Sequence, residues 1–395
     1  MEAKALPQEE KILEVIENFQ VKIWSEIESR IMGFTKQLIE ELLEEKVRQL
    51  IGAKRYERTK GRNGYRNGYY RRGLSTKYGN LEDIQVPRVT GLSIEHDVFD
   101  RYQRRATSVD AAIGCLFLNG ISTRKLRSIA KDLFGRSVSA QTVSKCTAYL
   151  EDELKQYQER PLTDDVEFLF LDGITERVRD ISVVKRVMLC AYGIHAGCRK
   201  EILGFRMTDV EDFASWRGLL VDLKSRGLLG KRLRLIITDG HPALLKALKE
   251  IYPFIKTQRC IAHKLRNVVV KLKRSQQEPC MRELKLMFTA GNRKEAVKIF
   301  KSWRSKWIIE AEAAVRCMDK NLAECLRYFD FDKSLWKSIR TTNILERAFR
   351  EVRRRTRPMN LFPNEDSANR IFYGVTKNLN QGWNENPVSE FPQST

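Results

Sequence analysis

Two aspartates carry the first chemical signal. The runs VEFLFLDG, ending at Asp172–Gly173, and RLRLIITDG, ending at Asp239–Gly240, are continuous apolar stretches that close on a carboxylate. Continuous apolar runs suit strands covered on both faces, and open α/β sheets place their functional groups at strand ends. Each Asp taken alone reads as an ordinary turn residue before Gly. As a pair at one sheet edge they can instead hold divalent ions. Two Mg²⁺ ions about 3.5–4 Å apart clamp the attacking and leaving oxygens of a phosphodiester, and carboxylate oxygen is the hard ligand that Mg²⁺ or Mn²⁺ takes. A third acid is available in TTNILERAFREVRRRTRP, from Thr341 to Pro358, where six arginines surround Glu346 and Glu351. Either each Glu pairs with a neighbouring Arg, or one of them has a task that the arginines surround.

The bulk composition says what such a site would meet. The 395 residues carry 72 Lys and Arg against 51 Asp and Glu, a formal charge of +21. That excess points to a polyanionic partner, nucleic acid first and an anionic membrane second. A hydrophobic content of 42% supports a sizeable core, and the length suits two or three domains. No apolar run approaches the roughly 20 residues of a membrane span. The N-terminal stretch is acidic and amphipathic, without a signal-peptide core. A cytoplasmic location is therefore expected, at the nucleoid if the source is bacterial. The eight cysteines are scattered and form no CxxC pair, which fits buried thiols in a reducing compartment without disulfides.

The elements that must position these groups follow from periodicity. Residues 1–52 form a helical region, and 10–51 read as a packing or dimerisation helix from apolar residues at three- and four-residue spacing. Residues 53–105 are a basic, Tyr- and Gly-rich segment. KRYERTKGRNGYRNGYYRR, Lys54 to Arg72, holds eight Lys or Arg, one Glu and four Tyr. It reads as a solvated loop or as a nucleic-acid contact, in which Arg62, Arg66, Arg71 and Arg72 neutralise phosphates and the Tyr rings stack. A small hairpin turning at Gly79–Asn80 follows. Residues 106–160 are helical and resemble a helix-turn-helix, with one helix from Ser122 to Phe134, a turn at Gly135, and a second helix capped by Ser139. Gln141, Thr142, Ser144 and Lys145 would then face base edges. From Val166 the order is three strands, helix, strand, helix, strand, an α/β arrangement. More than a hundred residues separate Asp239 from Glu346, too many for a simple loop, and 265–335 is strongly helical.

From about residue 55 to about residue 385 the chain resembles the DDE transposases, and among them the Mutator family in its bacterial insertion-sequence form. The resemblance lies in YRNGYYRR, VPRV, LNGISTRKL, TDGHPALLKALKEIYP, QRCIAHKLRN and RTTNILERAFREVRRRTRPMNLFPNEDSANRI. It implies a ribonuclease-H-like α/β core with a mixed sheet, in two parts, 161–264 and 336–395, interrupted by an all-helical insertion at 265–335. It also implies two catalytic Asp, a Glu on a late helix and a Cys-x2-His motif, which fall here on Asp172, Asp239, Glu346 and Cys260–His263. One departure is Gly173, where a larger residue is expected. The implied activity is binding of terminal inverted repeats and metal-dependent strand cleavage and transfer, by at least a dimer, with two Mg²⁺ or Mn²⁺ ions at Asp172, Asp239 and Glu346. A transposase-derived DNA-binding protein without activity and a hydrolytic nuclease on the same fold are the alternatives.

Helical geometry sorts the two glutamates. On a helix over 343–355, Leu345, Ala348, Phe349 and Val352 form one apolar stripe, and Glu346 and Glu351 flank it about 140° apart. Arg347 and Arg355, four residues to either side of Glu351, account for it by ordinary helix pairing. Glu346 is thus the metal-binding acid, with Arg350, Arg353 and Arg354 and the neighbouring Arg340, Arg347, Arg355 and Arg357 placed to hold phosphates. Cys260 and His263 have zinc-like spacing but lack partners for a full ligand set, so a supporting role near the carboxylates is expected of them. His241 is expected to start a helix, with contact to the scissile phosphate as the sharper reading.

Overall fold

The computed structural model describes residues 7–57, 59–91, 103–119, 121–179, 182–356, 362 and 364–385. The chain divides into two compact units, residues 1–147 and 148–395.

The first unit is built on α1 (Pro7–Ile51) and a two-stranded hairpin, β1 (Tyr65–Thr76) and β2 (Gly79–Thr90). One face of α1 sets Met32, Ile39 and Leu43 against Tyr70, Leu74, Leu81, Ile84 and Val86. Val47, Ile51 and Ala53 continue it towards Val89. The basic run thus becomes a strand from Tyr65 onward, because its alternate residues have a helix to pack on. Thr76 pairs with Gly79, so the turn is Lys77–Tyr78, two residues before the position expected. Three helices follow, α2 (Thr107–Leu118), α3 (Thr123–Phe134) and α4 (Ala140–Cys146). Ser122 caps α3 by accepting from the Lys125 amide; as expected, Gly135 ends α3, in the left-handed conformation, and Ser139 caps α4 by accepting from the Thr142 amide. Leu126, Ala130, Phe134, Val138 and Val143 are buried along them.

The second unit begins with α5 (Leu150–Glu159), whose Tyr157 ring packs on Phe205 and Tyr373. Those contacts set it in this unit, although its residues fall within the 106–160 stretch of the sequence. The sheet contains β3 (Val166–Arg179), β4 (Val183–His195), β5 (Lys200–Thr208), β6 (Leu235–Thr238) and β7 (Thr257–Arg259), in the order β5-β4-β3-β6-β7. The β3–β4 and β4–β5 pairs are antiparallel, and β3–β6 and β6–β7 are parallel. Contrary to the expectation of a strand closing at Asp172, β3 runs seven residues further, because β4 continues to pair with it from Gly173↔Leu189 to Arg179↔Val183.

Strand pleating sorts β3 into two faces. Leu169 and Leu171 join a core with α6 (Phe213–Ser225) and α7 (Pro242–Ile251), centred on Trp216, Leu220, Leu223 and Leu244. Phe168, Phe170 and Asp172 fall on the other face, where Phe168 meets Phe331 and Phe170 meets Tyr192. That side also carries α14 (Asn343–Thr356) and α15 (Glu365–Glu385), preceded by α8 (Ile261–Val269), α9 (Arg274–Leu286), α10 (Arg293–Trp307), α11 (Glu312–Asp319), α12 (Leu322–Cys325) and α13 (Trp336–Ile339). Trp303 and Trp307 are buried among these helices and donate to Cys280 O and Glu283.

Candidate active site

The parallel pairing of β3 with β6 ends at Leu171↔Thr238. Asp172 and Asp239 are therefore the next residues on neighbouring strands. Asp172 is buried, and its Oδ1 accepts from the Gly173 amide at 2.9 Å. Burial, reinforced by the charge of Asp239, lifts its carboxyl to about 6 against the opposing pull of His263. Asp239 Oδ1 accepts from the His241 amide at 2.9 Å, and His241 precedes Pro242 at the start of α7 as expected.

The turn after Asp239 has one permitted residue. Gly240 has φ +85°, and a Cβ there would lie 2.2 Å from the Arg259 guanidinium. Arg259 donates to Gly240 O at 2.7 Å and to Asn321 Oδ1 at 3.1 Å, and pairs with Glu324 at 3.2 Å. The buried Lys264 ammonium donates to the same Asn321 oxygen at 2.9 Å. The α12 region thus braces the Asp239 turn.

Cys260 and His263 open α8. The Cys260 amide donates to Thr238 O at 2.6 Å. Its sulfur accepts from the Thr342 amide at 3.3 Å and lies 3.4 Å from the Thr342 hydroxyl. Burial would raise the thiol, but hydrogen bonds from His263 and Thr342 outweigh it and hold it below its ordinary value. The hydrogen bond to Cys260, with the charges of Cys260 and Asp172, lifts His263 to about 9 in spite of its burial. The pair therefore ties the end of β6 to the start of α14 and sets an imidazolium beside Asp172.

Leu345, Ala348, Phe349 and Val352 are all buried, and this turns Glu346 into a cleft shared with Asp172, Gly173, His263, Arg266, Phe349, Arg350 and Arg353. Glu346 accepts from Arg266 Nη2 at 2.6 Å and lies 3.7 Å from His263 Nε2. Glu351 lies outside that cleft, 3.9 Å from Arg354. Among the described residues no three His, Cys, Asp or Glu side chains stand close enough to hold one ion. The two aspartates nevertheless fit a divalent cation: they are paired hard oxygen donors, and a bound cation would offset the burial and the Asp239 charge that raise the Asp172 carboxyl.

Sequence reasoning missed Glu211, between β5 and α6. Trp216 Nε1 donates to its Oε1 at 3.0 Å, and its Oε2 lies 3.7 Å from the position a Cβ on residue 173 would take. The carboxyl is raised, first by burial and also by Asp239, and it lies 3.9 Å from the buried Nδ1 of His241. Its only sequence signal is the Glu before the Asp212 cap and five residues before a Trp.

The cations expected at DNA separate into several positions. Arg350 and Arg353 line the carboxylate cleft, whereas Arg354 is exposed beside Glu351. Arg62 lies over the Tyr65 ring and donates to Gly64 O. Arg66 turns inward to Ala53 O at 3.0 Å and Glu44 at 3.7 Å, with its side chain 14% exposed. Arg71 and Arg72 lie on β1, and Lys145 is exposed on α4. Arg340 donates to Phe288 O, and the side chains of Arg355 and Arg357 lie outside the described residues.

Comparison with known proteins identifies the family. The profile of the family described as "Transposase, Mutator family" matches residues 7–386. The chain is 33% identical over 349 residues to the transposase for insertion sequence element ISRM5 of Rhizobium meliloti, covering 88% of this chain and 87% of that protein. It is 32% identical over 337 residues to the IS406 transposase of Burkholderia multivorans, covering 84% and 86%. It is 31% identical over 347 residues to the transposase for IS256 in transposon Tn4001 of Staphylococcus aureus, covering 87% and 88%. With the family profile spanning nearly its whole length, this chain belongs to the Mutator family of transposases.

Proposed function

We propose that this protein is the DNA transposase of an insertion sequence and works by DDE-type chemistry on a ribonuclease-H-like core. The observation that carries the reading is the placement of Asp172 on β3 and Asp239 just past the end of the adjacent parallel β6, with Glu346 lining the same cleft as Asp172. The strand order β5-β4-β3-β6-β7, three antiparallel then two parallel, supports the core assignment, and the helices between α8 and α14 are its insertion. Asp172, Asp239 and Glu346 would hold two Mg²⁺ or Mn²⁺ ions, which supply charge to activate the attacking oxygen and to stabilise the leaving one. Glu346 must leave Arg266 to join the aspartates. Arg350 and Arg353 bind phosphates across the cleft, and His263, cationic at neutral pH, faces the same charge. The substrate would be terminal inverted repeats and then target DNA. Pairing of two ends calls for a homodimer or larger assembly, and the second apolar stripe of α1, Trp24, Ile27, Ile31, Phe34 and Leu38, exposed along the chain, supports one.

The test compares Glu346→Gln with Glu351→Gln in one Mg²⁺-dependent cleavage assay on an element-end duplex. Glu346→Gln should lose cleavage while keeping DNA binding and the fold. Glu351→Gln should stay within a few-fold of the parent. An active Glu346→Gln would remove the third acid from the assignment. A parent protein that binds the ends and never cuts would be a DNA-binding protein alone.

A further inference from the structure

Four separate stretches of the first unit converge on one arginine-lined concavity. It is formed by Tyr70, Arg71, Arg72 and Gly73 of β1, Arg88 of β2, Arg104 before α2 and Arg136 after α3. Two local constraints bring the distant members in. The Ser75 amide donates to Arg104 O at 3.0 Å and the Ala106 amide to Ser75 O at 2.8 Å, so residues 104–106 lie along the end of β1. Gly135, at φ +70°, packs so closely on the hairpin that a Cβ would stand 2.9 Å from Asn80 Cβ. That contact holds Arg136 against β1 and β2. The volume is about 580 Å³, within the roughly 300–1,000 Å³ of small-ligand sites. It takes a short length of sugar–phosphate backbone and not a duplex.

Four of these arginines meet no carboxylate among the described residues. Elsewhere in this unit arginines meet carboxylates, as in Arg105–Asp110, Arg66–Glu44 and Arg48–Glu45. Among the described residues no Asp or Glu lies within ion-pair distance of Arg71, Arg88, Arg104 or Arg136, and these four are exposed. Arg88 rests over the Tyr70 ring, 5.4 Å from its centroid, which keeps its guanidinium at the rim. Like charges gathered at this density repel one another unless an anion joins them. Arginine forks match phosphate oxygens in pairs. The lining offers one aromatic ring and no aliphatic side chain, which suits a sugar–phosphate chain better than an acidic peptide.

We propose that this concavity is a docking site for the DNA backbone, in which Arg71, Arg88, Arg104 and Arg136 grip one or two phosphates without reading sequence, beside the helix-turn-helix whose α4 exposes Gln141, Ser144 and Lys145. It anchors the duplex so that base-reading residues meet the groove in register. The inference rests on DNA being the partner, but not on the metal site. Binding is read without divalent metal, so a failed cleavage test would leave the measurement standing.

The experiment uses the full-length protein, Arg88→Ala/Arg136→Ala, and two labelled duplexes, one with the element end and one of unrelated sequence, titrated over a range of salt. Each phosphate contact contributes about 0.9 to the slope of log affinity against log salt. The variant should lose roughly 1–2 from that slope, weaken equally on both duplexes, and melt with the parent. Arg88→Lys/Arg136→Lys should keep the parental slope. An unchanged slope in the Ala variant would overturn the proposal, as would a loss confined to the element-end duplex. If the double variant does not fold, the two single variants read the same slope.

Discussion

Arg266 Nη2 donates to Glu346 Oε1 at 2.6 Å across 80 residues of sequence. The acid expected to complete the metal site is thus engaged with a cation one helix away. The Arg266 side chain is 56% exposed, and such pairs are worth about 0.2–1 kcal/mol. Arg266→Ala should therefore tighten Mn²⁺ binding by up to about five-fold, read by titration calorimetry at fixed ionic strength. Unchanged affinity would mean that Arg266 does not hold Glu346 away from the ion.

Asp172 makes metal-free stability depend on pH. Burial, then the charge of Asp239, raises its carboxyl to about 6 in the fold. The contribution to stability is fully present below the unfolded aspartate value of about 3.9 and is lost as pH rises through the folded value. At pH 7 Asp172→Asn removes a penalty on the order of 2–3 kcal/mol. Without metal it should melt above the parent at neutral pH, with the gap closing in acid. Mg²⁺ should raise the melting temperature of the parent and not of the variant. A variant that melts below the parent at neutral pH contradicts this.

Asn321 offers one oxygen to two cations, Arg259 and the buried Lys264. Removing it leaves a buried ammonium short of a partner, which costs about 1–3 kcal/mol. Asn321→Ala should lower the melting temperature by several degrees, at about 2–4 °C per kcal/mol for a domain of this size. Asn321→Asp keeps an acceptor and should lose less. Equal losses in thermal denaturation would assign the effect to packing.

Glu211 sets a fourth carboxylate beside Asp239, held by the Trp216 indole. Glu211→Gln keeps an acceptor for Trp216 and removes one negative charge from the neighbourhood of the site. Apparent Mn²⁺ affinity should fall several-fold with no fall in melting temperature and no change in DNA affinity. Trp216→Phe, which leaves a void at a fully buried position and removes the N–H that Glu211 accepts, should instead destabilise the protein. If Glu211→Gln bound Mn²⁺ as the parent does, its charge would be irrelevant to the site.

Local interactions were legible in the amino-acid sequence because they depend on spacing within one turn or one strand. The apolar runs before Asp172 and Asp239, the Ser139 cap, the Gly135 stop and the stripe that turns Glu346 from Glu351 are of this kind. The succession of strands and helices along the chain followed from the same patterns, and the Mutator motifs named the family. Only the tertiary structure decided which charges meet. Arg66 lies within a basic run, yet its guanidinium turns to Ala53 O and Glu44, because α1 packs on the hairpin. The length of β3 depended on β4 as a partner beyond Asp172. Glu211 reached the carboxylates through a connection between β5 and α6, and Arg104 and Arg136 reached Arg88 through two close backbone approaches. Periodicity encodes which face of an element is buried. It carries no record of which distant element covers that face, and the pairing of charges is set there.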